Sequence, residues 1–378
     1  MSKRGLAMGA LLTGCIVLAG CSNGAEPVNT GPAPRTGSVS VTTSVSVTSS
    51  GVPSGGVLAG PSLSGSSAPD GAQSSGSAAA RKREAFGYLG QGVQTFNYSD
   101  VTAFVADPEV GPALLKGPNF AGRGIWEAKD LAWMLYTSGE SPWRQVYKFT
   151  DAFDLDKLDK AFTAAGTPKR EAGGITIYQT LNATNVRPLP SAFITGYAYL
   201  DRARRVLIAE EPDATSLQPV AVPPAVAAAT AGMADAPQVT GVFGAEACVR
   251  PSERALGNPD PTARSSAPAQ ASAATAGLDL AEPVGLVSSL DADRQLRVSA
   301  LFADDATAAA QAAPRRQLLA ERGVRVNAQA DPAPEPNAWT VRQAGPVLTF
   351  GARWSSADAA MQATGAMLYS EQPWNLCG

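Results

Sequence analysis

From Ser22 to Arg83 the chain runs for 62 residues without a Phe, Tyr or Trp, and Gly, Ser, Thr, Pro, Ala and Val dominate it. Such a segment cannot bury enough apolar surface to offset the entropy of ordering it, so the composition predicts a disordered tether over 21–83. Any core must come from the ~295 residues that follow in this chain of 378, enough for one large domain or two ordinary ones. Inside the tether, Ser38 to Ser50 alternates Val with Ser and Thr as a strand would, but an isolated strand has no face to pack on. A flexible chain of this length has a reach of roughly 40 to 50 Å. The Arg81-Lys82-Arg83 run that closes it reads as a solvated charge cluster or a weak contact to anionic headgroups.

Ahead of the tether, Lys3 and Arg4 give a basic start, Leu6 to Leu18 is apolar or small and carries no charge, and Leu18-Ala19-Gly20-Cys21 follows. The apolar run falls short of the about 20 residues a spanning helix needs and has the layout of an export signal. It resembles the lipobox of bacterial lipoproteins. That resemblance implies a signal peptide over 1–20, cleavage between Gly20 and Cys21, and an acyl (palmitate-type) modification of Cys21. The mature chain would then be extracytoplasmic and anchored to the cell membrane by lipid. An ordinary secretory signal or an uncleaved N-terminal anchor are the alternatives. The part beyond the tether is similar to lipoproteins of high-GC Gram-positive envelopes, a likeness that carries no assigned activity.

The lipobox reading also sorts the four cysteines. Cys15 leaves with the signal, Cys21 carries lipid, and Cys248 and Cys377 remain. An exported chain with two spare cysteines implies one disulfide, Cys248–Cys377, the alternative being two unpaired buried thiols. In the chain-entropy account a loop of that length contributes roughly 4 to 5 kcal/mol.

Hydrophobic patterning after residue 84 predicts an α+β fold, with mixed or antiparallel sheets and packed helices. Ser99-Asp100 opens a helix with Val101, Phe104 and Val105 on one face, and a second short helical run ends near Lys116-Gly117. Leu131 to Tyr136 and Gln145 to Thr150 read as a hairpin. The clearest helix has Asp154 as N-cap, Leu155, Leu158, Phe162 and Ala165 on one face, and Gly166 at its end. Gly174 to Thr180 reads as a strand, Phe193 to Leu200 with Val206 to Glu210 as a hairpin, and Pro224 to Met233 as a helix. Further on, Val284 to Leu290 and Gln295 to Phe302 form a hairpin around Asp291-Ala292-Asp293-Arg294. A helical region from Asp304 to Arg322 follows, which Pro314 is expected to break, then strands at Trp339 to Arg342 and Val347 to Trp354, then a helix from Ser355 to Tyr369. The shared order suggests two duplicated α+β subdomains, 84–248 and 284–378, joined by an Ala/Pro-rich linker or loop over 249–283.

The chain has no histidine. This excludes Ser-His-Asp and Cys-His catalysis and His-containing zinc sites, and the two spare thiols are too few for a Cys-only zinc site. The one G-x-S-x-G string, Gly20-Cys21-Ser22-Asn23-Gly24, overlaps the lipobox stretch and is not a strand-to-helix elbow, and no Walker A or S-x-x-K motif occurs. Formal charge is −3, and loss of Lys3 and Arg4 with the signal takes it to −5, which speaks against nucleic acid as a partner. Asp151, Asp154, Asp156 and Asp159 lack calcium-loop spacing and read as a helix start with Lys157 and Lys160 as partners, so no metal is expected. A carboxylate glycosidase needs no histidine, and Glu127, Asp130, Asp201, Glu210, Glu211, Asp304 and Asp305 are the acids on offer. Trp126, Trp133, Trp143, Trp339, Trp354 and Trp374 read first as core packing and second as the lining of a sugar or lipid groove. The expectation is a non-catalytic envelope protein that binds a ligand or protein partner and touches membrane lipid through Cys21. A histidine-free hydrolase and a purely structural lipoprotein are the alternatives.

Overall fold

The computed structural model describes residues 76–107, 122–248 and 278–355, less 140–142, 188, 191–192, 194–195, 211–217, 292 and 325–337, and also 360, 364, 368 and 372–377. Gly20 and Cys21, the run ending near Lys116-Gly117, and most of the helix expected over 355–369 lie outside them. The strands are β1 (Val93–Ser99), β2 (Leu131–Gly139), β3 (Arg144–Phe149), β4 (Lys169–Ala172), β5 (Ile175–Tyr178), β6 (Tyr197–Asp201), β7 (Val206–Glu210), β8 (Gln238–Phe243), β9 (Gly285–Leu290), β10 (Gln295–Leu301), β11 (Thr340–Ala344) and β12 (Val347–Arg353). The helices are α1 (Ala78–Phe86), α2 (Val101–Ala106), α3 (Asp156–Ala164), α4 (Pro224–Thr230) and α5 (Asp305–Arg322).

Among the described residues, twelve strands join one sheet in the order β11-β12-β10-β9-β8-β1-β2-β3-β7-β6-β5-β4, with antiparallel pairing throughout. The fold is thus α+β with strands dominant. Two strands decide the architecture. β1 and β8 pair at the centre, Phe96 opposite Gly241 and Tyr98 opposite Val239, and β8 continues onto β9 with Phe243 opposite Gly285. The sheet therefore runs unbroken across the boundary expected between the two subdomains, and residues 73–378 form one compact unit. Reading outward from β1 gives β2-β3-β7, and outward from β8 gives β9-β10-β12. On both sides a hairpin leads into a helix, α3 or α5, and the chain returns antiparallel beside the second hairpin strand.

Period-2 patterning places side chains on two faces. The front face carries Phe96, Tyr98, Trp133, Leu135, Val146, Ile208, Val239 and Val287, packed with Ala85 and Phe86 of α1 and with Val226 and Ala229 of α4. On the back face, Val101 of α2 and Leu158 and Phe162 of α3 join Met134, Tyr147, Phe149 and Leu207. Further along that face, Ala308 and Leu319 of α5 join Val298, Leu348 and Phe350, with Ala360, Leu368 and Trp374 from the C-terminal stretch. Burying a large apolar side chain in such layers contributes about 1.5 to 3 kcal/mol, so the two-faced burial is the main source of stability. Trp126, Trp133, Trp339, Trp354 and Trp374 are all core residues, and the groove-lining role considered for them is not the one they hold.

Several boundaries differ from expectation. α1 lies inside the segment assigned to the tether, and Arg81-Lys82-Arg83 is not a solvated cluster. Arg81 binds Asp100 through both carboxylate oxygens (2.8 to 3.1 Å), Lys82 is 6 % exposed, and only Arg83 faces solvent. Asp100 in turn caps α2 by accepting from Ala103 N at 3.1 Å. Val105 is 45 % exposed rather than aligned with Val101 and Phe104. α3 starts at Asp156, with Asp154 accepting from the Asp156 N–H at 3.0 Å. At the far end of the expected linker, Leu280 is buried against Leu318 and Leu376. Pro314 does not break α5, an 18-residue helix. The carbonyl that loses its donor is that of Ala310, an exposed residue within reach of water.

Candidate functional site

The front face is covered in its middle by α1 and α4, and a polar strip continues beyond α1 across β3, β7 and β6. α1 lays Glu84 over the sheet, where Lys148 Nζ donates to Oε1 at 2.7 Å and the Trp133 indole N–H donates to Oε2 at 3.2 Å. The same ammonium donates to the Arg204 carbonyl at 2.8 Å. Just past α1, Tyr88 is buried with its ring 6.0 Å from Trp133. Burial, reinforced by the Glu84 charge, pushes its hydroxyl up to about 12.

Next along the strip is a buried ion pair. Register places Arg144 of β3 opposite Glu210 of β7, and Glu210 opposite Tyr197 of β6. Arg144 Nη2 donates to Glu210 Oε1 at 2.7 Å, and Nη1 donates to the Tyr88 carbonyl at 3.2 Å. Glu210 is 1 % exposed, and its second oxygen, Oε2, has no hydrogen-bond partner among the described residues. Burial pushes the Glu210 pKa up, against the pull of Arg144. Tyr197 and Tyr199 alternate onto this face with rings 6.0 Å apart and 26° from parallel. Tyr197 is half-buried. Burial raises the Tyr199 pKa first, and the Glu210 charge adds to it. The strip thus joins a carboxylate with a spare acceptor, a guanidinium and two phenols, a set suited to holding a polar ligand rather than to nucleophilic chemistry.

Of the residues singled out from sequence, Cys248 and Cys377 are bonded to each other, with Cα atoms 5.9 Å apart. The bridge holds a C-terminal stretch that Arg315 of α5 also grips, donating to the carbonyls of Pro373 at 2.9 Å, Ala281 at 2.7 Å and Leu376 at 3.3 Å. Arg315 is fully buried and lies 5.2 Å from the Phe302 ring. Burial pushes its pKa down to about 9, so it keeps its charge at pH 7.

The candidate acids are dispersed. Glu127 and Asp130 close a short 3-10 turn, Asp201 accepts from Arg204 N and Nη1 (2.9 and 2.7 Å), and Asp304 caps α5 through Thr307 N at 2.7 Å. Glu211 lies outside the described residues and Asp305 sits in the first turn of α5. In the Asp151–Asp159 cluster the partners are not Lys157 and Lys160. Arg205 faces Asp151 at 3.7 Å, Arg202 binds Asp156 at 2.8 Å, and Lys169 and Tyr178 bind Asp159 at 2.9 and 2.6 Å. Lys157 instead sits over the Phe153 ring at 5.5 Å. No group of three or more His, Cys, Asp or Glu placed to hold a metal occurs among the described residues.

Arg144, Tyr88, Tyr197 and Tyr199 were not singled out from sequence. Tyr-Ala-Tyr at 197–199 was readable as two aromatics on one strand face, whereas the Arg144–Glu210 pairing depends on register between strands 66 residues apart. No protein-family model, curated protein or solved structure matches this chain.

Proposed function

We propose that this protein is an extracytoplasmic lipoprotein, held at the cell membrane by lipid on Cys21, whose folded part binds an envelope ligand or a protein partner and performs no chemistry of its own. Support for binding comes from one observation: Glu210 keeps a buried carboxylate oxygen unpartnered among the described residues, beside Arg144 and the half-buried Tyr197. An unmet buried acceptor costs about 1 to 3 kcal/mol, a cost that a ligand donor recovers on binding. The lipid anchor rests on the order of basic start, apolar run and Leu18-Ala19-Gly20-Cys21.

Cys21→Ser tests the anchor: the variant is expected to accumulate as an unlipidated precursor or to leave the membrane fraction, and unchanged processing and partition would overturn it. Mass spectrometry of small molecules that co-purify with the protein tests the binding role. We further propose that the sheet arose by duplication, β1-β2-β3-α3-β7 matching β8-β9-β10-α5-β12. A rotation about the β1–β8 axis that fails to overlay these strands would remove that idea.

A further inference from the structure

The far end of the front face, beyond α4, is open to solvent and lies apart from the Glu210 strip. There β10, β12 and β11 turn Leu296, Val298, Leu348, Phe350 and Val341 to the back, against α5. Alternation therefore turns Gln295 and Arg297 of β10, Thr349 and Arg353 of β12, and Thr340 and Arg342 of β11 to the front. Register sets Arg342 opposite Thr349, Arg353 opposite Gln295, and both Thr340 and Arg297 opposite Gly351. Arg297 marks the border of this area: it donates to the Gly232 carbonyl, just past α4, at 2.9 Å and to Asp291 at 3.1 Å. Its side chain is still 40 % exposed. Arg342 and Arg353 are exposed, and neither has a hydrogen-bond or ion-pair partner among the described residues.

What this face lacks narrows the partner. Val105, Leu181, Val186, Val220 and Val284 are the exposed large apolar residues among those described, and none lies on β10, β11 or β12. A protein partner draws most of its affinity from buried aromatic or apolar anchors, and a bilayer from inserted apolar side chains. Neither is offered here. Guanidinium groups spread over three strands, with hydroxyl and amide groups between them, suit an extended chain that carries anions at intervals and hydroxyls in between. With a formal charge of −3 the whole chain repels such a polymer, so attraction has to come from a local patch of this kind.

We infer that the front face of β10, β12 and β11 binds an anionic polysaccharide, with Arg342 and Arg353 holding its carboxylate or phosphate groups and Thr340, Thr349 and Gln295 its hydroxyls. The test is calorimetric titration of the full chain, in non-ionic detergent at low salt, with oligogalacturonate, poly(glycerol phosphate), neutral dextran and polyglutamate. At least one of the first two is expected to bind saturably and to weaken steeply with added salt, dextran not to bind, and polyglutamate to bind more weakly. Arg342→Gln combined with Arg353→Gln is expected to lower affinity roughly tenfold at an unchanged thermal midpoint, since both side chains lie in solvent. Arg170→Gln combined with Arg187→Gln removes the same charge from exposed positions in the other half of the sheet and is expected to leave affinity intact. Equal losses from the two pairs, or binding that the first pair leaves intact, overturn the site. Failure of both charged glycopolymers to bind, or equal binding of polyglutamate, overturns the ligand class. Any of these results leaves the lipid anchor and the Glu210 strip to their own tests.

Discussion

Lys82 places an ammonium under α1, where burial pushes its pKa from 10.5 down to about 8 despite the favourable charges of Asp235 and Asp100. Between pH 8 and 10.5 the unfolded chain holds a proton that the folded one has released. Stability from this residue therefore rises with pH across that window, and the full penalty applies at pH 7. The shift corresponds to ~3 kcal/mol. Lys82→Met should raise stability at pH 7 by about 2 to 3 kcal/mol in urea unfolding, with the gain closing towards pH 10.5. A gain of equal size at both ends would show that the charge is not its cause. Sequence placed Lys82 in a basic triplet; its burial arises because it shares a helix face with Ala85 and Phe86, which pack on the central strands.

At the scale of elements, α5 carries a proline where a helix prefers any other residue. Pro costs about 3 kcal/mol relative to Ala in a helix interior, partly offset by the lower entropy it gives the unfolded chain. Pro314→Ala is therefore expected to stabilise the fold by about 1 to 2 kcal/mol, read from the denaturation midpoint; no change would mean that the helix already compensates fully. The β6–β7 and β9–β10 hairpins were legible because their apolar runs end at charged turns that open on Asp201 and Asp291. β1 and β8 were not assigned, although they form the centre. Gly241 dilutes the strand pattern of β8, yet a Cβ there would lie 2.3 Å from the Phe96 ring, so the weak local signal is a condition of the packing. β4, with every residue exposed, has no apolar period and exists as the edge partner of β5.

For the whole molecule, the Cys248–Cys377 bridge spans 129 residues and returns the chain end to its middle. The paired Cys248→Ser, Cys377→Ser variant is expected to lose about 4 kcal/mol, with hydrogen-exchange protection falling first near Gln372 to Cys377. Undiminished protection there would assign the hold on that stretch to Arg315 instead. Mass measurement with and without reductant checks that the bridge forms.

The amino-acid sequence by itself determined the local features: an N-terminal stretch without aromatics, the absence of histidine, and the hairpins and helices whose apolar period fits inside one segment; it gave the Cys248–Cys377 bridge as an expectation that the structure bears out. Tertiary structure alone decided that the two halves share one sheet through β1, β8 and β9, that Arg81 meets Asp100, and that Arg144 meets Glu210 beside Tyr197. The reason is physical. A strand's own residues set which face is apolar, but its neighbour and register are set by how all the faces bury together, and a shift of one residue would turn Glu210 away from Arg144 to the other side of the sheet.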